Sequence, residues 1–207
     1  MFDNSKSELN CYDEVAEQQM MEVIDNAKKA GDTLGGVFEV VVTGAVKGLG
    51  SHIQWDTRLD AKIAAALMSI QAIKGVEVGE GFEYANLPGS KAHDEMFLTE
   101  NKNYMRKTNH AGGIEGGMSN GEEIVVRAVM KPIPTLMRPL ASVDIESKNE
   151  VSANTERSDV CAVSAASVVG EAMVAIALVE VLLEKFANDN MADLLASIKQ
   201  YQERIGW

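Results

Sequence analysis

The sequence has 207 residues, of which 46% are hydrophobic and 24% charged, and this composition is typical of a soluble globular protein. The formal net charge of −12 and the lack of any run of Lys and Arg argue against a nucleic-acid-binding protein. The two cysteines, Cys11 and Cys161, lie far apart and in no metal-binding spacing. They indicate neither a disulfide framework nor a metal site, and they fit a reducing, cytoplasmic location.

The N-terminal part of the chain predicts one helix and one strand. The first ten residues are polar and acidic, without the layout of a signal peptide, so no targeting segment is expected. Asp13 is a predicted N-cap for a helix that ends at Gly31. The β-branched residues of 36–43 then predict a strand.

A second helix, a second strand and a long loop are predicted next. Apolar residues three and four apart over 56–73 indicate an amphipathic helix with Asp56 near its cap. Val76 and Val78 share one face of a strand predicted over 75–82. From 83 to 107 the chain is polar and aperiodic, so we expect a long mobile loop.

The C-terminal half predicts strands at 123–130 and, more weakly, at 141–145, a long apolar helix at 160–186 and a terminal helix at 191–205. Strands and helices do not alternate regularly. The expected class is therefore α+β, with an antiparallel sheet layered against helices.

The apolar helix is long enough to span a bilayer. Glu171, Glu180 and Glu184 interrupt it, however, and charged groups are costly in hydrocarbon. We interpret it as a helix buried on most of its circumference, with a membrane span as the alternative, and expect no membrane partner.

Five glycines lie within 108–121, in the sequence TNHAGGIEGGMSNG. Glycine permits positive φ and lets a ligand approach main-chain N–H groups, so this segment is a candidate binding loop. A tight connection between two strands explains it equally well. Neither common phosphate-binding motif occurs in it.

Two further segments carry charged residues that could bind an anionic ligand. In KPIPT (131–135) two prolines stiffen a loop that carries a lysine and a threonine hydroxyl. In 157–159, Arg157 precedes Ser158 and Asp159, either of which could cap the apolar helix. An exposed strand exit and a simple helix cap are the respective alternatives.

These segments resemble those of chorismate synthases in order and spacing. The resemblance rests on GDTLGGVFEVV, GLGSHIQWD, ALMSIQAIKGVEVGEGF, TNHAGGIEGGMSNG, MKPIPTL, ERSDVCAV and EAMVAIAL, and it covers nearly all of residues 1–207. It implies the C-terminal part of such an enzyme, without the N-terminal half, and one half of a β-α-β sandwich.

The resemblance also implies an activity. Chorismate synthases eliminate phosphate from 5-enolpyruvylshikimate 3-phosphate in a 1,4-anti sense to give chorismate, in the shikimate pathway of aromatic amino acid biosynthesis. They are homotetramers that need reduced FMN, and NAD(P)H is a possible reductant. By motif, Asp159 is the implied catalytic residue, which manages a flavin proton. The implied FMN contacts are Gln71, Ala72, Gly116, Lys131, Pro132, Ile133, Pro134, Thr135 and Arg157.

The catalytic histidines of the family belong to its N-terminal half, and none of His52, His93 and His110 matches one of them. Three hypotheses for the chain therefore remain open: part of an active enzyme, an inactive flavin-binding or assembly module, and an unrelated α+β domain.

Overall fold

A computed structural model of the chain describes residues 7–100 and 104–206. Two predictions fall partly outside the described residues. They are the absence of a signal peptide, which concerns residues 1–6, and the mobile loop, which includes residues 101–103.

The main sheet has three antiparallel strands in the order β1-β7-β2. They are β1 (Gly36–Val42), β2 (Ile73–Val78) and the central β7 (Ile124–Met130). Val126 and Ala128 of β7 are buried and pair with β1 and β2 on either side. The predicted class is confirmed, and Val76 and Val78 pair with these two buried positions.

Two helices cover one face of this sheet. They are α2 (Leu59–Met68), which lies against β2, and α4 (Val163–Lys185), which lies against β1 and α2. Leu59, Ile63 and Leu67 are completely buried between them and the sheet. Asp56 lies near the cap of α2 but is not the cap: the N-cap is Arg58, and Asp56 lies within the preceding turn, in which the Thr57 amide donates to the Gln54 carbonyl.

The predicted burial of the apolar helix is wrong. One stripe of α4 is buried against the sheet side, through Ala166, Gly170, Val174, Ala177 and Val181. Its opposite side exposes Val168, Val169, Ile176 and Val179. The reason is that α4 packs against a single layer, and no other described element covers its second side. By length and hydropathy alone α4 could span a membrane, and 28% of its most apolar part is buried. A single helix of this kind is weak evidence for a membrane span.

The helices at the two ends of the chain follow their local signals. α1 (Glu14–Ala30) begins at Asp13, whose side chain accepts hydrogen bonds from the amides of Val15 and Ala16, and it ends at Gly31 with φ 70°. α5 (Met191–Ile205) begins at Asn190. Tyr201 on α5 donates a hydrogen bond to the Lys47 carbonyl, which fixes α5 to the body of the protein.

The second strand ends earlier than predicted, because Gly79 and Gly81 both adopt positive φ and a 3₁₀ helix follows (Gly81–Asn86). The segment 83–107 is not without structure. It contains α3 (Gly89–Ala92) and the hairpin β3 (Met96–Leu98) with β4 (Tyr104–Arg106). Its mobility stays a prediction.

Two small hairpins complete the described chain. β5 (Ile114–Glu115) pairs with β6 (Met118–Ser119) before β7. After β7, β8 (Ala141–Val143) pairs with β9 (Glu150–Ser152). The sequence patterns predict β8 but not β9.

Candidate functional site

Most of the predicted site residues meet at one end of the sheet, which we call the Met130 end. Met130 closes β7 and pairs with Gly36 at the start of β1 and with Ile73 at the start of β2. Because β1 and β2 both start where β7 ends, the segments that precede them lie beside the segment that follows β7. Gln71 and Ala72 therefore come together with Lys131–Thr135.

The loop 131–135 is held from two sides. The Lys131 amide donates to the Ala72 carbonyl over 2.9 Å. On the other side, the Thr33 hydroxyl donates to the Ile133 carbonyl over 2.6 Å, and Thr33 is only 8% exposed. Pro132 fixes φ between these two contacts, and Pro134 fixes it directly after them. The loop is thus attached through its main chain, and the side chain of Lys131 is exposed.

Ser158 joins the third predicted segment to this loop. Its hydroxyl donates to the Thr135 carbonyl over 3.1 Å and accepts from the Thr135 hydroxyl over 3.3 Å. The prediction that Ser158 or Asp159 caps the apolar helix is wrong. α4 begins at Val163, and its N-cap, Ala162, offers no side-chain bond. The Ser158 hydroxyl is engaged with Thr135 instead.

Arg157 and Asp159, which flank Ser158, are exposed, as is Lys131. Within residues 7–100 and 104–206, none of these three charged groups forms an ion pair. Two cations and one carboxylate therefore border the same pair of loops without a charged protein partner. This arrangement can accept an anionic ligand, with the carboxylate available to accept a proton.

Ala72 has a backbone conformation that is unusual for a residue with a Cβ, at φ 66°. Such left-handed residues are costly outside glycine and persist where surrounding contacts fix them. Here the bond from the Lys131 amide fixes the Ala72 carbonyl. The observed strain therefore falls on one of the residues predicted to contact FMN.

Gly116 lies at the other end of the sheet. With Gly117 it forms the two-residue turn of the β5–β6 hairpin, at φ 59° and 84°. Positive φ at both turn positions explains why both are glycine. β7 separates this hairpin from Met130, and seven strand residues span about 20 Å. Within this chain the structure does not bring Gly116 together with the other predicted cofactor residues.

A polar cluster that sequence reasoning missed holds the glycine-rich segment. Asp94 accepts hydrogen bonds from the Thr108 hydroxyl and from the amides of His110 and Ala111, at 2.6–2.9 Å. Burial raises the pKa of Asp94, but the bonds from Thr108, Ala111 and His110 outweigh it and leave the pKa below its ordinary value.

His110 belongs to the same cluster, because its Nδ1 lies 2.8 Å from Glu80 Oε1. His110 lies in the turn that precedes β5. No local pattern predicts the cluster, since Asp94 and Glu80 lie 16 and 30 residues from His110 along the chain.

The comparisons with known proteins give the family. The chorismate synthase family profile matches residues 1–183. The chain belongs to the chorismate synthase family.

Relatives in this family match along nearly the whole chain. The chorismate synthase of Geobacter metallireducens is 57% identical over 208 residues, which are 97% of this chain and 53% of that protein. The chorismate synthase of Alkaliphilus metalliredigens is 56% identical over 94% of this chain and 51% of its own length. A crystal structure of a chorismate synthase superimposes with a TM-score of 0.81 at 46% identity, over 97% of this chain and 52% of that one.

The chain spans about half the length of the chorismate synthases that it matches. The profile match includes Gln71–Ala72, Lys131–Thr135 and Arg157–Asp159, and it ends within α4. The fold expected of this family is confirmed for the part that the chain represents.

Proposed function

We propose that this chain forms the FMN-binding part of a chorismate synthase. Such an enzyme converts 5-enolpyruvylshikimate 3-phosphate to chorismate by 1,4-anti elimination of phosphate. Family membership supports the reaction class, since chorismate synthases are lyases of the shikimate pathway. A cytoplasmic homotetramer that binds neither nucleic acid nor membranes belongs to the same proposal.

The observation that carries the proposal is the contact between Thr135 and Ser158. It joins the loop that carries Lys131 to the segment that carries Arg157 and Asp159. FMN has a phosphate, and the substrate has another, so both ligands need cations that are not neutralised by protein carboxylates. Lys131 and Arg157 meet this requirement, and the residues present therefore fit a phosphate-bearing flavin.

Each group has a definite task in this proposal. Lys131 and Arg157 hold phosphate-bearing ligands by charge-assisted hydrogen bonds. The prolines of 131–135 reduce the entropy that the loop loses when a ligand binds. Main-chain groups at Gln71 and Ala72 orient the ligand, and Asp159 accepts a proton from it.

Reduced FMN, when bound, supplies electron density as phosphate leaves, with no net redox change. NAD(P)H is the proposed reductant. The part of this chain is to position the ligands, keep the loops rigid and accept a proton at the Asp159 carboxylate.

A second candidate is an inactive flavin-binding or assembly module, and the histidines favour it for the isolated chain. His52 and His93 are exposed, and His110 is bonded to Glu80 near the glycine-rich segment. None of them follows or precedes a strand at the Met130 end. We therefore propose that the general acid for the elimination comes from residues outside this chain.

Two measurements test the proposal. Titration of the chain with reduced FMN under anaerobic conditions should give saturable binding, and absence of binding would overturn the FMN assignment. A chimaera that joins the first half of the Geobacter metallireducens relative to this chain should form chorismate, whereas the chain alone should not. Turnover by the chain alone would show that the acid lies within these 207 residues.

A further inference from the structure

Three consecutive residues, Thr33–Gly35, lie between the two loops of the candidate site, and we call them the wedge. They connect Gly31, the C-cap of α1, to Gly36, the first residue of β1. The wedge belongs to the segment GDTLGG, to which no site residue has been assigned.

Each wedge residue contacts a different part of the site. The buried Thr33 hydroxyl donates to the Ile133 carbonyl over 2.6 Å. The Leu34 amide donates to the Val160 carbonyl over 2.7 Å, and Leu34 forms a parallel bridge with Cys161. Gly35 is pressed against the Met130 carbonyl and Pro132, so that a Cβ added there would overlap the Met130 oxygen and lie 3.0 Å from the Pro132 ring nitrogen.

The contacts on either side of the wedge are of different kinds. On the 131–135 side, one side-chain hydroxyl and one close main-chain approach hold the loop. On the 157–161 side, a main-chain bond holds it just after Asp159. Ser158 and Thr135 connect the two segments to each other directly through their hydrogen bonds. The wedge therefore sets the distance between the loop of Lys131 and the segment of Arg157 and Asp159.

We infer that Thr33 is a positioning residue, which acts on the ligand through the loop 131–135. The hydrogen bond from the Thr33 hydroxyl orients the Ile133 carbonyl toward the wedge. This fixes the Lys131 cation and the Thr135 hydroxyl relative to Arg157 and Asp159. The consequence for ligand binding rests on the proposed function, whereas the consequence for the loops does not.

The test uses Thr33→Val, which removes the hydroxyl and keeps the shape, and Thr33→Ser, which keeps the hydroxyl. Two amides report the loops directly: Lys131, bonded to Ala72, and Leu34, bonded to Val160. By hydrogen exchange, Thr33→Val should speed both by roughly tenfold, and Thr33→Ser should restore wild-type rates.

A matched control is available at the other end of the sheet. Ser119 is also buried, and its hydroxyl also donates to a carbonyl, that of Val46, over 2.6 Å. Ser119→Ala should lower the melting temperature but leave the exchange of Lys131 and Leu34 unchanged. Equal effects of Ser119→Ala and Thr33→Val on these two amides would overturn the inference, because they would indicate general destabilisation.

Ligand affinity gives the second readout. Thr33→Val should weaken reduced-FMN binding by roughly tenfold. In a protein that already carries Lys131→Ala it should cause no further loss of FMN affinity, because both changes act on one loop. Additive effects would overturn the inference. If the wild-type chain binds no FMN, the proposed function fails, and the exchange of the two amides still decides whether Thr33 positions the loop.

Discussion

Gly170 of α4 lies directly beneath the aromatic ring of Phe38 of β1, so that a Cβ at position 170 would overlap the ring edge. Both residues are buried, and Gly170 belongs to the stripe of α4 that packs against the sheet. We expect Gly170→Ala to destabilise the protein by about 1–3 kcal/mol through overpacking, although alanine is otherwise the better helix former. Thermal unfolding measures the effect.

Gly89→Ala is the control for this variant, because Gly89 is also helical and a Cβ there would meet only His93 Nε2 at 3.9 Å. It should be neutral or slightly stabilising. Equal melting temperatures for the two variants would contradict the packing of α4 onto Phe38.

The pKa of Asp94 predicts a pH dependence of stability. Because its hydrogen bonds lower this pKa in the folded state, the folded form binds a proton less readily than the unfolded form. The stabilisation is therefore complete above the ordinary aspartate pKa of about 3.9 and is lost as the pH falls through the lower folded value. Asp94→Asn should unfold more easily at neutral pH and show a smaller loss of stability on acidification. Urea unfolding between pH 7 and pH 3 checks both, and an unchanged pH profile would refute the assignment.

The two unpaired cations predict specific losses of ligand affinity. In the proposed complex Lys131 and Arg157 each donate a charge-assisted hydrogen bond to a phosphate, worth about 1.5–3 kcal/mol. Under that proposal, Lys131→Ala and Arg157→Ala should each lower the affinity for reduced FMN by roughly ten- to a hundredfold. Lys199→Ala removes a cation from the exposed side of α5, where it pairs with Glu203, and serves as the charge control. Isothermal titration of all three should separate the first two from the third.

Asp159→Asn separates a catalytic role from a structural one. Because Ala162, and not Asp159, is the N-cap of α4, this change should leave the melting temperature unaltered. FMN binding should largely survive, while turnover in the chimaera falls by roughly a hundredfold or more, because asparagine cannot accept the proton. Retained turnover would rule out Asp159 as the proton acceptor.

The exposed side of α4 predicts self-association of the isolated chain. Val168, Ile176 and Val179 are each more than half exposed, and contiguous apolar surface of this kind favours association. Sedimentation velocity should detect oligomers or aggregates of the chain, and Ile176→Ser with Val179→Ser should reduce them. A wild-type chain that sediments as a monomer at high concentration would contradict this view.

Features with local signals could be predicted from the sequence. Asp13 and Gly31 bracket α1 because a cap bonds to amides two and three residues away and a left-handed C-cap favours glycine. The central strand was predictable as a short, mostly apolar run that is rich in β-branched residues. The loop 131–135 was predictable as a unit because two prolines stiffen it.

Several misses depend on partners that are remote in sequence. Ser158 was expected to cap a helix, but its hydroxyl is bonded to Thr135, 23 residues away. The contact of Thr33 with Ile133 joins residues 100 positions apart. Likewise, a glycine-rich stretch indicates that positive φ is needed but does not indicate where the segment lies in the fold. The structure places Gly116 at the opposite end of the sheet from the other candidates.

The strand order has a consequence for how the chain folds. β1 and β2 do not pair with each other, because β7 lies between them, and about 45 residues separate the end of β2 from the start of β7. At roughly 5–20 residues per second, a ribosome needs several seconds to add them. Throughout that interval two apolar strands have no partner in the sheet, and pairing between such distant segments is slow even when the chain is complete. Release of β7 is thus the step that permits the sheet to form, and until then the nascent chain carries unpaired strands that favour aggregation.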